Sequence, residues 1–191
     1  MNTSFGPNAL ATPANAITVA RLLFAPVFFS MVGDQASWPA LTVWFLLCCS
    51  DWVDGYLARK MGTTRSGAFL DPLADKVLVL GGMFALVAHQ LFWIVPVIII
   101  AAREILISVY RTVAARSGVT VPATKLAKYK TLTQQLSVGI MLTPPVADRS
   151  RTPANLMLWL SVALTVITGV HYLVTARHRA RVQLTEVPEV T

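Results

Sequence analysis

Four aspartates in a short stretch of a mostly apolar chain point to the chemistry. Asp51 and Asp54 lie three residues apart, and Asp71 and Asp75 lie four apart. On helices each spacing puts its pair on one face. Both pairs stand at the edges of long apolar runs, where ionised groups are costly and functional by default. No balancing cation shares those faces, so the carboxylates would repel one another unless one divalent cation, or two, held them together. The ligands on offer are all oxygens, with no neighbouring His or Cys, which suits a hard cation such as Mg2+ or Mn2+. A pair of such ions, roughly 3.5–4 Å apart, is the usual clamp for displacement at phosphorus. Gly55 follows Asp54 and lets a bulky ligand approach the backbone. Arg59, four residues on along the same helical face, can grip a phosphate bidentately. Together these residue types indicate phosphoryl transfer.

The elements that must carry these residues are apolar helices. The chain has 191 residues, a mean hydropathy of +0.61 and only 13% charged residues, too apolar for an ordinary soluble domain. Segments of about 20 apolar residues, each long enough to span a bilayer, can be laid out. Helices are expected near 16–33, 38–59, 68–90, 92–115, 129–147 and 154–176. The expected fold is all-α: one integral-membrane catalytic domain of six transmembrane helices over 15–176, a surface segment over 1–14 and a tail over 177–191. No cleavable signal peptide is expected ahead of the first span. Adjacent Cys48 and Cys49 cannot form an ordinary disulfide with each other and read as apolar packing residues.

The net charge of +7 sorts by side. With six spans, Arg59, Lys60, Arg65, Arg116, Lys125, Lys128, Lys130, Arg177, Arg179 and Arg181 share one side with both termini. Arg149 and Arg151 fall on the other. The positive-inside rule therefore puts both termini, and the Asp51–Asp75 end of the helices, in the cytoplasm. The basic excess faces anionic lipid or acidic substrates. Nucleic-acid binding is excluded as a reading because no soluble basic domain could carry it.

In the first helix Asn15, expected as N-cap, repeats with Thr18 and Arg21 every three residues along one side. Taken alone, these are as readily a cap, a packing hydroxyl and a snorkelling arginine as a binding stripe. Pro26 is expected to kink that helix. Asp75, one turn deeper than Asp71, is the least solvated of the four carboxylates. Gly81-Gly82 suits close helix contact. His89, at the far end, reads as an interface residue and not a ligand. Charges inside the fourth helix, Arg103, Glu104 and Arg111, are functional candidates, against the simpler reading of an internal ion pair. Lys125, Lys128 and Lys130 read either as anchors on anionic lipid or as a pocket for a phosphorylated acceptor.

Asp51, Asp54, Gly55, Ala58, Arg59, Gly67, Asp71 and Asp75 occupy all the fixed positions of D-x2-D-G-x2-A-R, spacer, G-x3-D-x3-D. In this the chain resembles the CDP-alcohol phosphatidyltransferases, with a spacer one residue shorter than that family's usual pattern. Thr18 and Arg21 fit an N-x2-T-x2-R pattern that the family places close to its nucleotide. Arg103-Glu104, with Lys128-x-Lys130-Thr131 and Gln134, is similar to the bacterial phosphatidylglycerophosphate synthase branch, although Ala127 stands where that branch usually has glycine.

The resemblance implies CDP-diacylglycerol as donor, sn-glycerol 3-phosphate as acceptor and two Mg2+ or Mn2+ ions among Asp51, Asp54, Asp71 and Asp75. It implies a nucleotide and diphosphate site of Thr18, Asp54, Gly55, Ala58, Arg59, Gly67 and Asp71, with Asp75 as the catalytic proton acceptor. It assigns Arg103, Arg111, Lys125, Lys128 and Lys130 to the acceptor phosphate. It further implies membrane lipid as surroundings, the bacterial cytoplasmic membrane as location and a homodimer as an available assembly. Within the family, a cardiolipin synthase with phosphatidylglycerol as acceptor, or another acceptor variant, remains open. A small cation-coupled transporter would explain the carboxylates and spans, but not Gly55, Arg59 and Gly67 in fixed register with them. A scaffold retaining the motif is the non-catalytic reading.

Overall fold

The computed structural model describes residues 12–61, 65–116 and 125–185, with side chains over 12–60, 67, 69–113 and 128–170. Among the described residues there are seven helices and no strand: α1 Pro13–Met31, α2 Trp38–Met61, α3 Arg65–Ala88, α4 Ile94–Arg116, α5 Lys125–Met141, α6 Pro144–Ala147 and α7 Thr152–Thr185. The all-α class is as expected. Several helix boundaries differ from the sequence reading. Thr12, not Asn15, caps α1, its hydroxyl accepting from the Asn15 backbone N–H at 3.2 Å, with Pro13 in the first helical turn where its missing N–H costs nothing. α1 runs through Pro26 and ends at Met31, two residues short of the expected end. The fifth long helix stops at Met141 instead of running on to 147, because Pro144 and Pro145 cannot continue its hydrogen-bond ladder and open the separate short α6. The last helix continues to Thr185, past the end expected for its span.

The buried side of α1 is Asn15, Thr18, Arg21, Ala25 and Phe28, a helical stripe that is polar in its first half and apolar in its second. The polar half builds the site and the apolar half joins the core. There Phe28 packs on Trp44 of α2, ring centroids 5.2 Å apart, and Trp44 Nε1 donates to the Gln135 carbonyl of α5 at 3.3 Å. The glycine pair of α3 admits this packing, as expected. A Cβ on Gly81 would fall 2.2 Å from the Phe29 ring, and one on Gly82 would fall 3.1 Å from Trp44 and 3.2 Å from Phe28.

The long helices pack as two groups, α1 with α2 and α3, and α7 with α4 and α5, and α3 touches both α4 and α5. Alternating direction brings the start of α1, the end of α2, the start of α3, the end of α4, the start of α5 and the second half of α7 to one end of the bundle. At the other end His89 Nδ1 lies 2.7 Å from Asp34 Oδ1, and Arg151 donates to the Gln90 carbonyl at 3.0 Å. His89 thus joins two helix ends.

The exterior is apolar. Leu23, Phe24, Phe45, Leu46, Ile105 and Leu106 all point outward, and water-soluble monomers rarely expose contiguous apolar surface on this scale. Pro13–Met31 and Thr152–Val170 are each long and apolar enough to cross a membrane. An apolar rim around a core containing buried charge is the arrangement of a membrane protein.

Candidate active site

The polar half of α1 faces the carboxylates of α2 and α3. Thr18, fully buried, sets its Oγ1 2.9 Å from Asp71 Oδ1 and 3.1 Å from Asp54 Oδ2, while also lying 3.1 Å from the Ala14 carbonyl. One hydroxyl has one proton, so it serves these acceptors in turn. Arg21 Nη1 donates to Asp51 Oδ1 and Nη2 to Asp54 Oδ2, both at 2.6 Å. Its Nε donates to Ser50 Oγ at 3.1 Å, and Ser50 passes its own proton to the Leu47 carbonyl. Three aspartates from two helices are thereby gathered onto one helix face of α1.

The sequence reading left these carboxylates without a counter-cation because it looked only along α2 and α3. The structure corrects this: the cation is Arg21, supplied from α1. Arg21 and Asp54 are both buried, whereas Asp51 is partly open. A lone carboxylate at Asp54's depth would be severely destabilising, and the charge-assisted pair is what makes it tenable.

The donor set is all oxygen and fits a hard divalent cation in type. As the side chains stand, no three His, Cys, Asp or Glu among the described residues are arranged to hold a metal ion. In the same arrangement Arg21 holds one oxygen of Asp51 and one of Asp54, and Thr18 lies against Asp54 and Asp71. Asp75 stands outside this network, one turn along α3. Of the remaining motif residues, Gly55 and Ala58 are half-buried on α2, Gly67 is buried at the start of α3, and Arg59 is exposed. The Arg59 guanidinium folds back over Gly55, and a Cβ added there would meet its Nη1 at 3.6 Å.

A second polar cluster lies at the same end, between α4, α5 and α7. Glu104 Oε1 pairs with Lys130 Nζ and with Arg103 Nη1, the latter at 3.3 Å. Arg103 Nη2 donates to Thr168 Oγ1 at 2.9 Å, while its Nε is buried without a hydrogen-bond partner among the described residues. Gly169 leaves room for that side chain, since a Cβ there would sit 3.3 Å from Nε. Gln134 donates to Thr165 Oγ1 at 3.3 Å beside them. Glu104 and Lys130 are both buried. Asp75 is within electrostatic reach of Asp51 in the first cluster and of Glu104 and Lys130 in the second.

The predicted acceptor residues therefore divide. Arg103 and Lys130 meet in the second cluster, already paired through Glu104. Arg111 and Lys128 are exposed and outside it. The Lys125 side chain lies outside the described residues. Three residues of these networks had no assigned role in the sequence reading, Ser50, Thr165 and Thr168, and Arg21, read there as a snorkelling or nucleotide-side arginine, was missed as the counter-ion. The three-residue repeat with Thr18 was the signal for Arg21. Hydroxyls inside an otherwise apolar last helix were a fainter signal for Thr165 and Thr168.

Comparison with known proteins bears on the chemistry. A sequence model of the CDP-alcohol phosphatidyltransferases matches residues 11–167. A Haemophilus influenzae protein named CDP-diacylglycerol–glycerol-3-phosphate 3-phosphatidyltransferase is 36% identical over 172 residues, covering 84% of this chain and 91% of its own. A Bacillus subtilis protein of the same name is 36% identical over 176 residues, covering 83% and 91%.

Proposed function

The chain belongs to the CDP-alcohol phosphatidyltransferase family, and from that premise we propose that it transfers the phosphatidyl group of CDP-diacylglycerol to sn-glycerol 3-phosphate, giving phosphatidylglycerophosphate and CMP. The observation that carries this reading is the juxtaposition of a carboxylate cluster on α1–α3 with a cationic cluster on α4, α5 and α7 at one end of the bundle, with Asp75 within electrostatic reach of both. The first cluster suits a donor diphosphate and the second a phosphorylated acceptor.

Asp51, Asp54, Asp71 and Asp75 would hold the divalent cation, Mg2+ or Mn2+ and in pairs by the usual pattern of such sites. Bound there, it would neutralise the diphosphate and stabilise charge on the attacking and leaving oxygens. Arg59 grips the diphosphate from the open side of α2. Thr18 and Asp71 border the nucleotide, and Gly55, Ala58 and Gly67 keep the backbone accessible to it. Asp75 accepts the proton of the acceptor hydroxyl. The hydroxyl oxygen forms its bond to the lipid-bearing phosphorus, the bond from that phosphorus to the CMP oxygen breaks, and CMP leaves. A positioned base of this kind contributes about 10²–10⁴-fold. Arg103, with a buried N–H that has no partner among the described residues, takes the acceptor phosphate, with Lys130 beside it and Arg111, Lys125 and Lys128 at the rim.

The reading extends to topology. Six spans over 15–176 leave 1–14 and 177–191 with the site on the cytoplasmic face of a bacterial inner membrane, supported by the cationic excess at that end. There a donor with lipid tails and a nucleotide head meets a water-soluble acceptor. The apolar exterior is open to lipid or to a second copy of the chain.

The test is CMP release and lipid product from purified protein in detergent, with Mg2+ or Mn2+ and CDP-diacylglycerol. Glycerol 3-phosphate, inositol phosphate, serine and phosphatidylglycerol are offered separately, with Asp75→Asn alongside. Metal-dependent CMP release with glycerol 3-phosphate, lost in Asp75→Asn, is expected. Turnover only with phosphatidylglycerol would transfer the acceptor to a lipid. No CMP from folded protein with any acceptor would sink the reading.

A further inference from the structure

Arg21 does more than pack. Its guanidinium is almost wholly buried, it holds Asp51 and Asp54 at 2.6 Å each, and its Nε is anchored by Ser50. It therefore sits on oxygens that a cation at this cluster requires. We propose that Arg21 is a built-in counter-cation, which keeps the carboxylates assembled when no metal is bound and competes with the divalent ion for Asp51 and Asp54. The inference rests on the metal-dependent reading above.

Two physical requirements lead to it. Asp54 is buried, so without metal its charge needs a partner, and the guanidinium supplies one with fork geometry that spans two carboxylates. With metal, the same guanidinium becomes a like charge a few ångströms from a doubly charged ion. At an effective dielectric of about 20, repulsion at that range is ample to shift an ion's affinity by tenfold or more. Arg21 touches one oxygen of each aspartate, Oδ1 of Asp51 and Oδ2 of Asp54. Asp75 is not among the carboxylates that Arg21 holds, which leaves an incoming ion a carboxylate uncommitted to the guanidinium. Arg21 thus sets the metal concentration at which the site loads, exchanging tight metal binding for a metal-free protein that stays folded.

The experiment measures Mn2+ binding directly, by the electron paramagnetic resonance signal of free Mn2+, on full-length protein in detergent after chelation and without substrate. Thermal unfolding is followed with and without the ion. Arg21→Gln removes the charge and keeps hydrogen-bonding capacity. It is expected to bind Mn2+ at least about tenfold more tightly than wild type, to melt lower without metal and to gain more from Mn2+. Unchanged or weaker Mn2+ binding by the folded variant would overturn the proposal and make Arg21 a permanent brace. If Arg21→Gln folds only with Mn2+, the counter-ion role is supported. If it folds in neither state, Arg21→Lys decides. Its ammonium keeps the charge but loses the planar fork, so a weaker hold on the two oxygens and tighter Mn2+ binding than wild type are expected, and equal or weaker binding counts against competition. Folded wild-type protein that binds no Mn2+ would overturn this inference and the metal-dependent reading together. Wild-type protein that binds Mn2+ and releases CMP, with Mn2+ affinity unmoved in the variants, would overturn this inference alone.

Discussion

Thr18 Oγ1 stands 2.9 Å from Asp71 Oδ1, tying the first helix to the third across a separation of 53 residues. The same oxygen lies 3.1 Å from Asp54 on the second helix. One small side chain thus fixes the relative depth of three helices at the site. Thr18→Val keeps the volume and removes the hydroxyl, leaving buried carboxylate oxygens short of a donor at a cost of about 1–3 kcal/mol. Turnover is expected to fall together with thermal stability, and Thr18→Ser, which restores the donor, is expected to recover most of both. Kinetics and melting of the two variants in parallel check this. A fully active Thr18→Val would show that the hydroxyl is incidental.

The Glu104–Lys130 pair is the second internal tie, buried between α4, α5 and α7. Removing one partner strands the other charge in the bundle. Each single change, Glu104→Gln or Lys130→Met, is expected to destabilise by about 3–5 kcal/mol. The double change removes both charges and is expected to regain much of that stability without regaining activity, because the acceptor phosphate loses Lys130. Denaturation and glycerol 3-phosphate kinetics in a double-mutant cycle separate the two effects. Additive losses of stability would mean that the pair is not coupled.

Gly55 makes the opposite prediction. A Cβ there would meet Arg59 Nη1 at 3.6 Å, an ordinary contact, so the fold itself can accept alanine. The new methyl would instead occupy the surface where the donor diphosphate approaches. Gly55→Ala is expected to leave the melting temperature near that of wild type and to raise KM for CDP-diacylglycerol by about tenfold, the equivalent of 1.4 kcal/mol of lost binding. A lowered melting temperature with unchanged KM would reassign the glycine to packing.

What the sequence made legible was the set of residues; what it hid was their pairing. Asp51, Asp54, Asp71 and Asp75 stand out because their spacing is local and each helix can be read by itself. Arg21 is far from them in sequence, and only packing brings α1 against α2 and α3. A helix-by-helix reading therefore counted four anions and missed the cation. Glu104 was recognisable as a buried charge, with Arg103 and Arg111 considered as partners. Lys130 proved the closer partner, since pairing across helices depends on rotations that periodicity leaves undetermined. The helix ends show the same limit. Thr12 replaced Asn15 as cap because both residues favour that position, and Pro144-Pro145 stopped the ladder earlier than the apolar run suggested.

The sidedness of the bundle gives the last prediction. The end bearing Asp51–Asp75 also carries Arg59 and Lys60, while Arg151 and the Asp34–His89 pair mark the opposite end. Those two ends lie a full helix length apart, since the 24 residues of α2 rise about 36 Å at 1.5 Å each, enough to cross a hydrocarbon core of about 30 Å. In a variant with Cys48 and Cys49 replaced by alanine, a cysteine at Lys60 is expected to react with a membrane-impermeant maleimide only in inside-out vesicles, and one at Arg151 only in right-side-out vesicles. Both positions are exposed, so failure to label from either side would not be expected of a spanning bundle. Labelling of the two from the same side would bring both ends to one face of the membrane and overturn the six-span arrangement, whatever the activity. Labelling from the reversed sides would keep the spans but turn the carboxylates away from the cytoplasm, where glycerol 3-phosphate is available, and the proposed acceptor would then have to be abandoned.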